Sequence, residues 1–123
     1  MSTIKVDSIQ ATGETASRGV SGVAAAWVNL NGTGTIAIRD SMNVSSLTDN
    51  STGVYDSNFS SSMSDADYAI SGAIPYASWG ASTKADFYGA SETSSKMRSI
   101  VIDPFSNYYD GSEVYTIAYG DLA

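Results

Sequence analysis

Apolar and polar positions alternate along most of this chain, and no stretch keeps a helical period for ten residues or more. Ala24 to Leu30 sets Ala26, Val28 and Leu30 on one face and Trp27 with Asn29 on the other. Asn31-Gly32-Thr33-Gly34 follows, and alternation resumes at Thr35-Ile36-Ala37-Ile38-Arg39. Two alternating runs around Asn-Gly predict a β-hairpin, because those residues tolerate the positive φ of a tight turn. Val44–Thr48 predicts the next strand, with a turn over Asp49–Gly53. Val54–Phe59 predicts another, with Tyr55, Ser57 and Phe59 on one side. After a polar loop over Ser60–Asp67, strands are predicted over Tyr68–Ala73, near residues 85–89, over Ser99–Asp103 and over Glu113–Tyr119. In the last of these Tyr115, Ile117 and Tyr119 share a face.

Short strands separated by Gly, Asn and Asp turns indicate an all-β domain over residues 24–123, an antiparallel β-sandwich or barrel of jelly-roll-like character, with roughly seven to nine strands. Residues 1–23 read differently. Ile4 and Val6 alternate with Lys5 and Asp7, which predicts a strand over residues 3–9. Residues 11–23 are rich in Gly, Ser, Thr and Ala without periodicity. Together they predict an extended N-terminal attachment arm, with Ile4, Val6 and Ile9 pairing onto a larger assembly or a neighbouring copy by strand addition.

Composition narrows the chemistry. The chain has 123 residues, enough for one domain, and only 15% are charged. Six cations against thirteen acids leave a net charge of −7, which disfavours a phosphate-tracking surface and so nucleic acid as a partner. The same balance disfavours an anionic membrane surface. No run of the sequence approaches the length of a membrane-spanning helix. Without Cys there are no disulfides, thiol nucleophiles or thiolate metal sites. Without His, the usual general base near neutral pH and the commonest transition-metal ligand are both missing.

The stretch from Ala26-Trp27-Val28-Asn29-Leu30 through Ile36-Ala37-Ile38-Arg39 resembles a β-domain of tailed-phage tail-fibre and virion structural proteins, of the marine and cyanophage type. Its sequel, Asn43-Val44-Ser45-Ser46-Leu47 to Val54-Tyr55, and the later Met63-Ser64-Asp65-Ala66-Asp67-Tyr68-Ala69 continue the pattern. The opening Ser2-Thr3-Ile4-Lys5-Val6 and the closing Val114-Tyr115-Thr116-Ile117-Ala118-Tyr119 are similar to the two ends of such proteins. The resemblance implies a structural module of the virion, made in a host cytoplasm, carrying no cofactor and often trimeric. Its partners would be itself, other virion proteins and a host cell-surface glycan. A fibre or fibre tip that mediates host attachment is the first expectation. A capsid decoration or head-fibre protein that stabilises the capsid is the second, and a polysaccharide-degrading enzyme the third. The start of the chain lacks the apolar core of a signal peptide, consistent with release by lysis.

Candidate chemistry is sparse. Asp65-Ala66-Asp67 and Asp110-Gly111-Ser112-Glu113 offer carboxylates that Ca²⁺ accepts, but turn and cap chemistry places Asp in such loops without any ion. Paired carboxylates also cleave glycosidic bonds, yet no spacing among thirteen acids singles out a pair, so a non-enzymatic role is expected. No His is present to activate a serine nucleophile. Four Asn-X-Ser/Thr triplets, at Asn31, Asn43, Asn50 and Asn58, are what a composition rich in Ser, Thr and Asn yields by chance. The aromatics are more informative: eight Tyr and two Trp stand among Ser, Gly and Asn, the composition of recognition surfaces. Tyr76, Trp79, Phe87, Tyr88, Tyr108 and Tyr109, in or near predicted loops, are the candidate partner-binding residues, with packing in a core or subunit interface as the alternative. Trp27, inside a strand, is expected in a core or interface.

Overall fold

A computed structural model describes residues 2–10, 12–13, 15–74, 86–103 and 105–123; of Arg18, Ser21 and residues 86–92 only the backbone is described. Tyr76 and Trp79 therefore lie outside the described residues, as do the side chains of Phe87 and Tyr88.

The described elements are strands and one 3₁₀ turn. Two short strands come first, β1 (Ser8–Ile9) and β2 (Arg18–Gly19), followed by the turn Val20–Gly22. Then come β3 (Ala24–Asn31), β4 (Ala37–Met42), β5 (Val44–Ser51), β6 (Val54–Phe59), β7 (Ala69–Ala73), β8 (Asp86–Thr93), β9 (Lys96–Ile102) and β10 (Val114–Tyr119). They form two antiparallel four-stranded sheets, in the orders β4-β3-β10-β7 and β5-β6-β9-β8, packed face to face. The fold is a β-sandwich; no barrel closes.

The pattern of each strand explains its seat. In β3, Ala26, Val28 and Leu30 are buried while Trp27 and Asn29 lie half-buried on the outer face. In β6, Tyr55, Ser57 and Phe59 point into the core, and in β9 Met97, Ser99 and Val101 do the same. Burying a side chain the size of Leu30 or Met97 contributes about 1.5–3 kcal/mol each. The two sheets also meet through a polar contact, a hydrogen bond of 2.7 Å between the fully buried hydroxyls of Ser99 and Thr116.

Several elements differ from the sequence pattern. The strand expected over 3–9 is confined to Ser8–Ile9, which pairs with Arg18–Gly19. Ile4 and Val6 belong to no strand, and no described residue pairs with them. Part of the Gly/Ser-rich stretch is thus ordered as β2 and the following 3₁₀ turn. The second hairpin strand starts later, at Ala37, and continues to Met42. A bulge at Arg39 of β4, opposite the Asn29–Leu30 step of β3, lets the pair keep Ile38 beside Leu30 and Met42 beside Trp27. Similarly, β5 runs on through Ser51, so the turn tightens to Thr52-Gly53, where Gly53 adopts φ +69°. A Cβ there would lie 2.6 Å from the Val101 carbonyl oxygen and 2.7 Å from that of Tyr109.

Strand direction gives the sandwich two distinct ends. β10 runs from Val114 beside Leu30 to Tyr119 beside Ala24, about 17 Å at ~3.3 Å per residue. At the first end sit the β3–β4 and β5–β6 turns and the β9–β10 loop, joined by Gly32 N–H donating to the Gly111 carbonyl and Gly53 N–H donating to Asp110 Oδ1. The second end holds the entry into β3, the β4–β5 and β8–β9 turns, the loop over 60–68 and the tail Asp121–Ala123. Asn43 ties this end together, donating to the carbonyls of Ala25 and Ser61 and accepting from Ser61 N–H.

Candidate functional site

Among the described residues, the β9–β10 loop presents the most exposed aromatic rings. Phe105 is 72% exposed and Tyr108 60%. The loop is held from beneath by Asp103. Its Oδ1 accepts the backbone N–H groups of Phe105 (2.8 Å) and Asn107 (2.9 Å), and its Oδ2 accepts Asn107 Nδ2 (3.0 Å). Asp103 N–H donates in turn to the Asn107 carbonyl, and Ser106 completes the turn at φ +68°. The Asn107 side-chain hydrogen bond, with the two backbone N–H groups, holds the Asp103 carboxyl below the usual carboxylate range. These three hydrogen bonds tie the backbone of Phe105 and Asn107 to the end of β9.

The far side of the loop is anchored by Tyr55, fully buried, whose hydroxyl donates to Asp110 Oδ1 at 2.8 Å with the Gly32 carbonyl oxygen 3.2 Å away. Burial, and then the Asp110 carboxylate, push the Tyr55 hydroxyl well above the ordinary tyrosine range, so it stays a neutral donor. Gly32 is required there: a Cβ would stand 2.3 Å from the Tyr55 hydroxyl oxygen.

Tyr108 and Tyr109, expected as a pair, are separated. Tyr108 makes a single bridge to Ile102 and turns outward, whereas Tyr109 donates its N–H to the Val101 carbonyl and packs half-buried against the core. Phe87 and Tyr88 lie in β8, opposite Val101 and Ile100, as backbone positions. The residues that bracket 75–85, Ile74 after β7 and Asp86 opening β8, both stand at the end of the sandwich that carries Phe105 and Tyr108, since Ala73 pairs with Tyr115 and Asp86 with Ile102.

A second aromatic surface covers the outer face of the β4-β3-β10-β7 sheet. The register sets Met42, Trp27 and Ile117 in one row across the strands, with Tyr115 beside Asn29 in the next. The outer face of the other sheet is polar. There Asp56 lies almost buried, accepting from Lys96 Nζ (2.6 Å), Arg98 Nε (2.7 Å) and Arg98 Nη2 (3.0 Å). Burial opposes its ionisation, but the hydrogen bonds from Arg98, Lys96 and Asn50 together hold its carboxyl at about 2.

Asp65 and Asp67 line an open groove of about 390 Å³ with Tyr119 and Asp121, at the second end of the sandwich. Asp65 Oδ1 accepts the N–H of Asp67, the local turn chemistry the sequence allowed. No group of three or more acidic side chains among the described residues is arranged to hold a metal ion. Asp110, of the other acidic stretch, is occupied with Gly53 and Tyr55.

The arm residues stay in solvent: Ile4 is 85% exposed, and Val6 and Ile9 also lie open. Phe105 escaped sequence reasoning, which weighed the tyrosines of this loop. Its signal was an aromatic placed directly after Asp103-Pro104, where the chain must leave the sheet.

The fold defines a two-sheet antiparallel sandwich with a hydrogen-bonded aromatic loop at one end and the root of an exposed arm at the other. Protein-family models, curated proteins and solved structures contain no match to this chain.

Proposed function

We propose that this chain is a surface module of a tailed-phage particle, of the tail-fibre or fibre-tip kind, anchored through the arm end and meeting the host with the opposite end. The observation that carries the reading is this polarity. The apolar arm residues Ile4 and Val6 leave the sandwich at one end, and Phe105 and Tyr108 are mounted about one strand length away at the other. The resemblance of the 26–70 stretch to virion β-domains supports the same role. Flat amphipathic rings on a preorganised loop lose little entropy when they dock, which suits a glycan or another hydroxyl-rich surface. The role is binding, without catalysis and without a cofactor, in a homo-oligomer with a trimer first.

Phe105→Ala combined with Tyr108→Ala tests it. Both rings lie outside the core, so particles assemble normally while host adsorption falls by about thirtyfold, the loss of a typical hot spot. Normal adsorption after Tyr76 and Trp79 are also replaced by Ala overturns the adhesive role. Labelling of the protein on the capsid, with heads that burst more readily in its absence, assigns the decoration role instead.

A further inference from the structure

The arm end carries a second apolar feature besides the arm. Val20, Val23 and Leu122 are all open to solvent and, with Ala24 and Ala25, line a groove of about 220 Å³ at the foot of β3 and β10. The groove is bordered by Asp121, which also lines the neighbouring groove with Asp65 and Asp67 and so gives this side an acidic margin. The tail that forms this margin is fixed in place: Ser64 N–H donates to the Asp121 carbonyl, Ala123 N–H donates to the Ser62 carbonyl, and Leu122 bridges Met63.

The chain's own arm passes beside the groove without filling it. Val20 N–H donates to the Asp7 carbonyl at 3.2 Å, which places the root of the arm next to Val20, yet Ile4 remains 85% exposed and Val6 50%. One molecule thus displays both an unburied alternating Ile4-Lys5-Val6 segment and an unfilled apolar groove with an acidic margin. The two surfaces are complementary in kind: aliphatic side chains for the apolar wall, and Lys5 for the carboxylates of Asp121 and its neighbours.

We infer that the groove formed by Val20, Val23 and Leu122 receives Ile4 and Val6 of a second copy of this chain, with Lys5 set against the acidic margin. This rests on reading residues 1–23 as an assembly arm and is independent of what the aromatic loop binds. A donor segment and a different acceptor on each copy make a heterologous contact, which closes into a ring or pairs copies reciprocally. It also neutralises part of the repulsion between chains of charge −7.

The full chain is followed by sedimentation over a wide concentration range. The wild type self-associates. Ile4→Asp with Val6→Asp weakens association by about a hundredfold, since two buried aliphatic contacts are lost, and it leaves the sandwich folded because both residues lie outside the core. Lys5→Glu weakens it by about fivefold at low salt and less at high salt. Val23→Asp with Leu122→Asp gives a folded monomer, and an equimolar mixture of arm and groove variants regains a one-to-one complex through the intact arm and the intact groove. Should the groove variant fail to fold, a peptide of residues 2–10 titrated into the arm variant moves the amide resonances of Val20, Val23 and Leu122. Three outcomes overturn the inference: a wild type that stays monomeric, an arm variant that associates as tightly as the wild type, or peptide shifts confined to other surfaces. Unchanged host adsorption by the Phe105/Tyr108 variant leaves the inference intact, which separates its failure from that of the functional reading.

Discussion

At the scale of single residues, acidic side chains do most of the structural work in a chain that has few cations to pair with them. Asp103 accepts three hydrogen bonds from its own loop, so Asp103→Ala should free the backbone that mounts Phe105 and Tyr108. Amide exchange of Phe105 and Asn107 should then accelerate markedly, with the β9 and β10 amides unaffected and host adsorption reduced. Asp56 shows the pH consequence of such pairing. Its carboxyl sits at about 2 when folded, against an ordinary value of 3.8. A depressed folded value stabilises the protein above the unfolded value, and that stabilisation is lost as pH falls from about 4 towards 2. The linkage amounts to roughly 2 kcal/mol. Chemical denaturation at pH 6 and pH 2.5 should show this loss in the wild type and a smaller one in Asp56→Asn. An equal loss in both would place the acid-sensitive group elsewhere.

At the scale of elements, alternation largely determined which segments became strands, and packing decided their faces and limits. Val54–Phe59 forms the strand its pattern predicts. The neighbouring β5 is longer than its pattern because hydrogen bonding to β6 continues through Ser51, past the polar residues that read as a turn. Of the strand expected over 3–9, only Ser8–Ile9 forms, where Arg18–Gly19 offers a partner edge: alternation creates a strand only where such an edge is available. Between the sheets, Ser99 and Thr116 form a closed polar pair within an apolar layer. Thr116→Val should therefore cost about 1–3 kcal/mol, since the Ser99 hydroxyl is left buried and unpaired. Adding Ser99→Ala should recover most of that loss, because the hydroxyl orphaned by the first substitution is then removed. Thermal denaturation of the two single variants and the double variant measures the coupling, and strictly additive losses would contradict it.

At the scale of the molecule, the sandwich separates its two kinds of exposed surface by a strand length. The arm, with the groove beside it, lies at one end and the aromatic loop at the other, while the outer sheet faces differ in character from each other. The face of Trp27, Tyr115, Ile117 and Met42 is aromatic, and that of Asp56, Lys96 and Arg98 is ion-paired. Association through the arm end, as inferred, would leave the loop end of every copy available, and several weak contacts would then act together on the proposed host surface. Monomeric arm variants should accordingly bind host cells much less tightly than wild type in direct binding assays, even though Phe105 and Tyr108 are unchanged. Equal binding by monomer and assembly would show that one loop suffices.

The sequence by itself determined the class of fold, most strand positions, and the absence of His- and Cys-based chemistry, because backbone alternation and residue chemistry are local properties. It also marked Tyr108 and the Ile4/Val6 arm as candidates for contact. Only the tertiary structure decided that Tyr109 turns towards the core while Tyr108 does not, that Phe105 joins Tyr108, and that Asp103 and Asp110 are spent on hydrogen bonds. Most of all, it decided the orientation of β10. Its alternation offers two faces, and the smaller one, Val114, Thr116 and Ala118, is buried while Tyr115, Ile117 and Tyr119 lie towards the outside. Tyr55, Leu30, Met97 and Val101 already fill the space between the sheets, so β10 can approach only with its small side chains inward. Which face is buried depends on the volumes of residues brought from distant parts of the chain, and no local pattern contains that information.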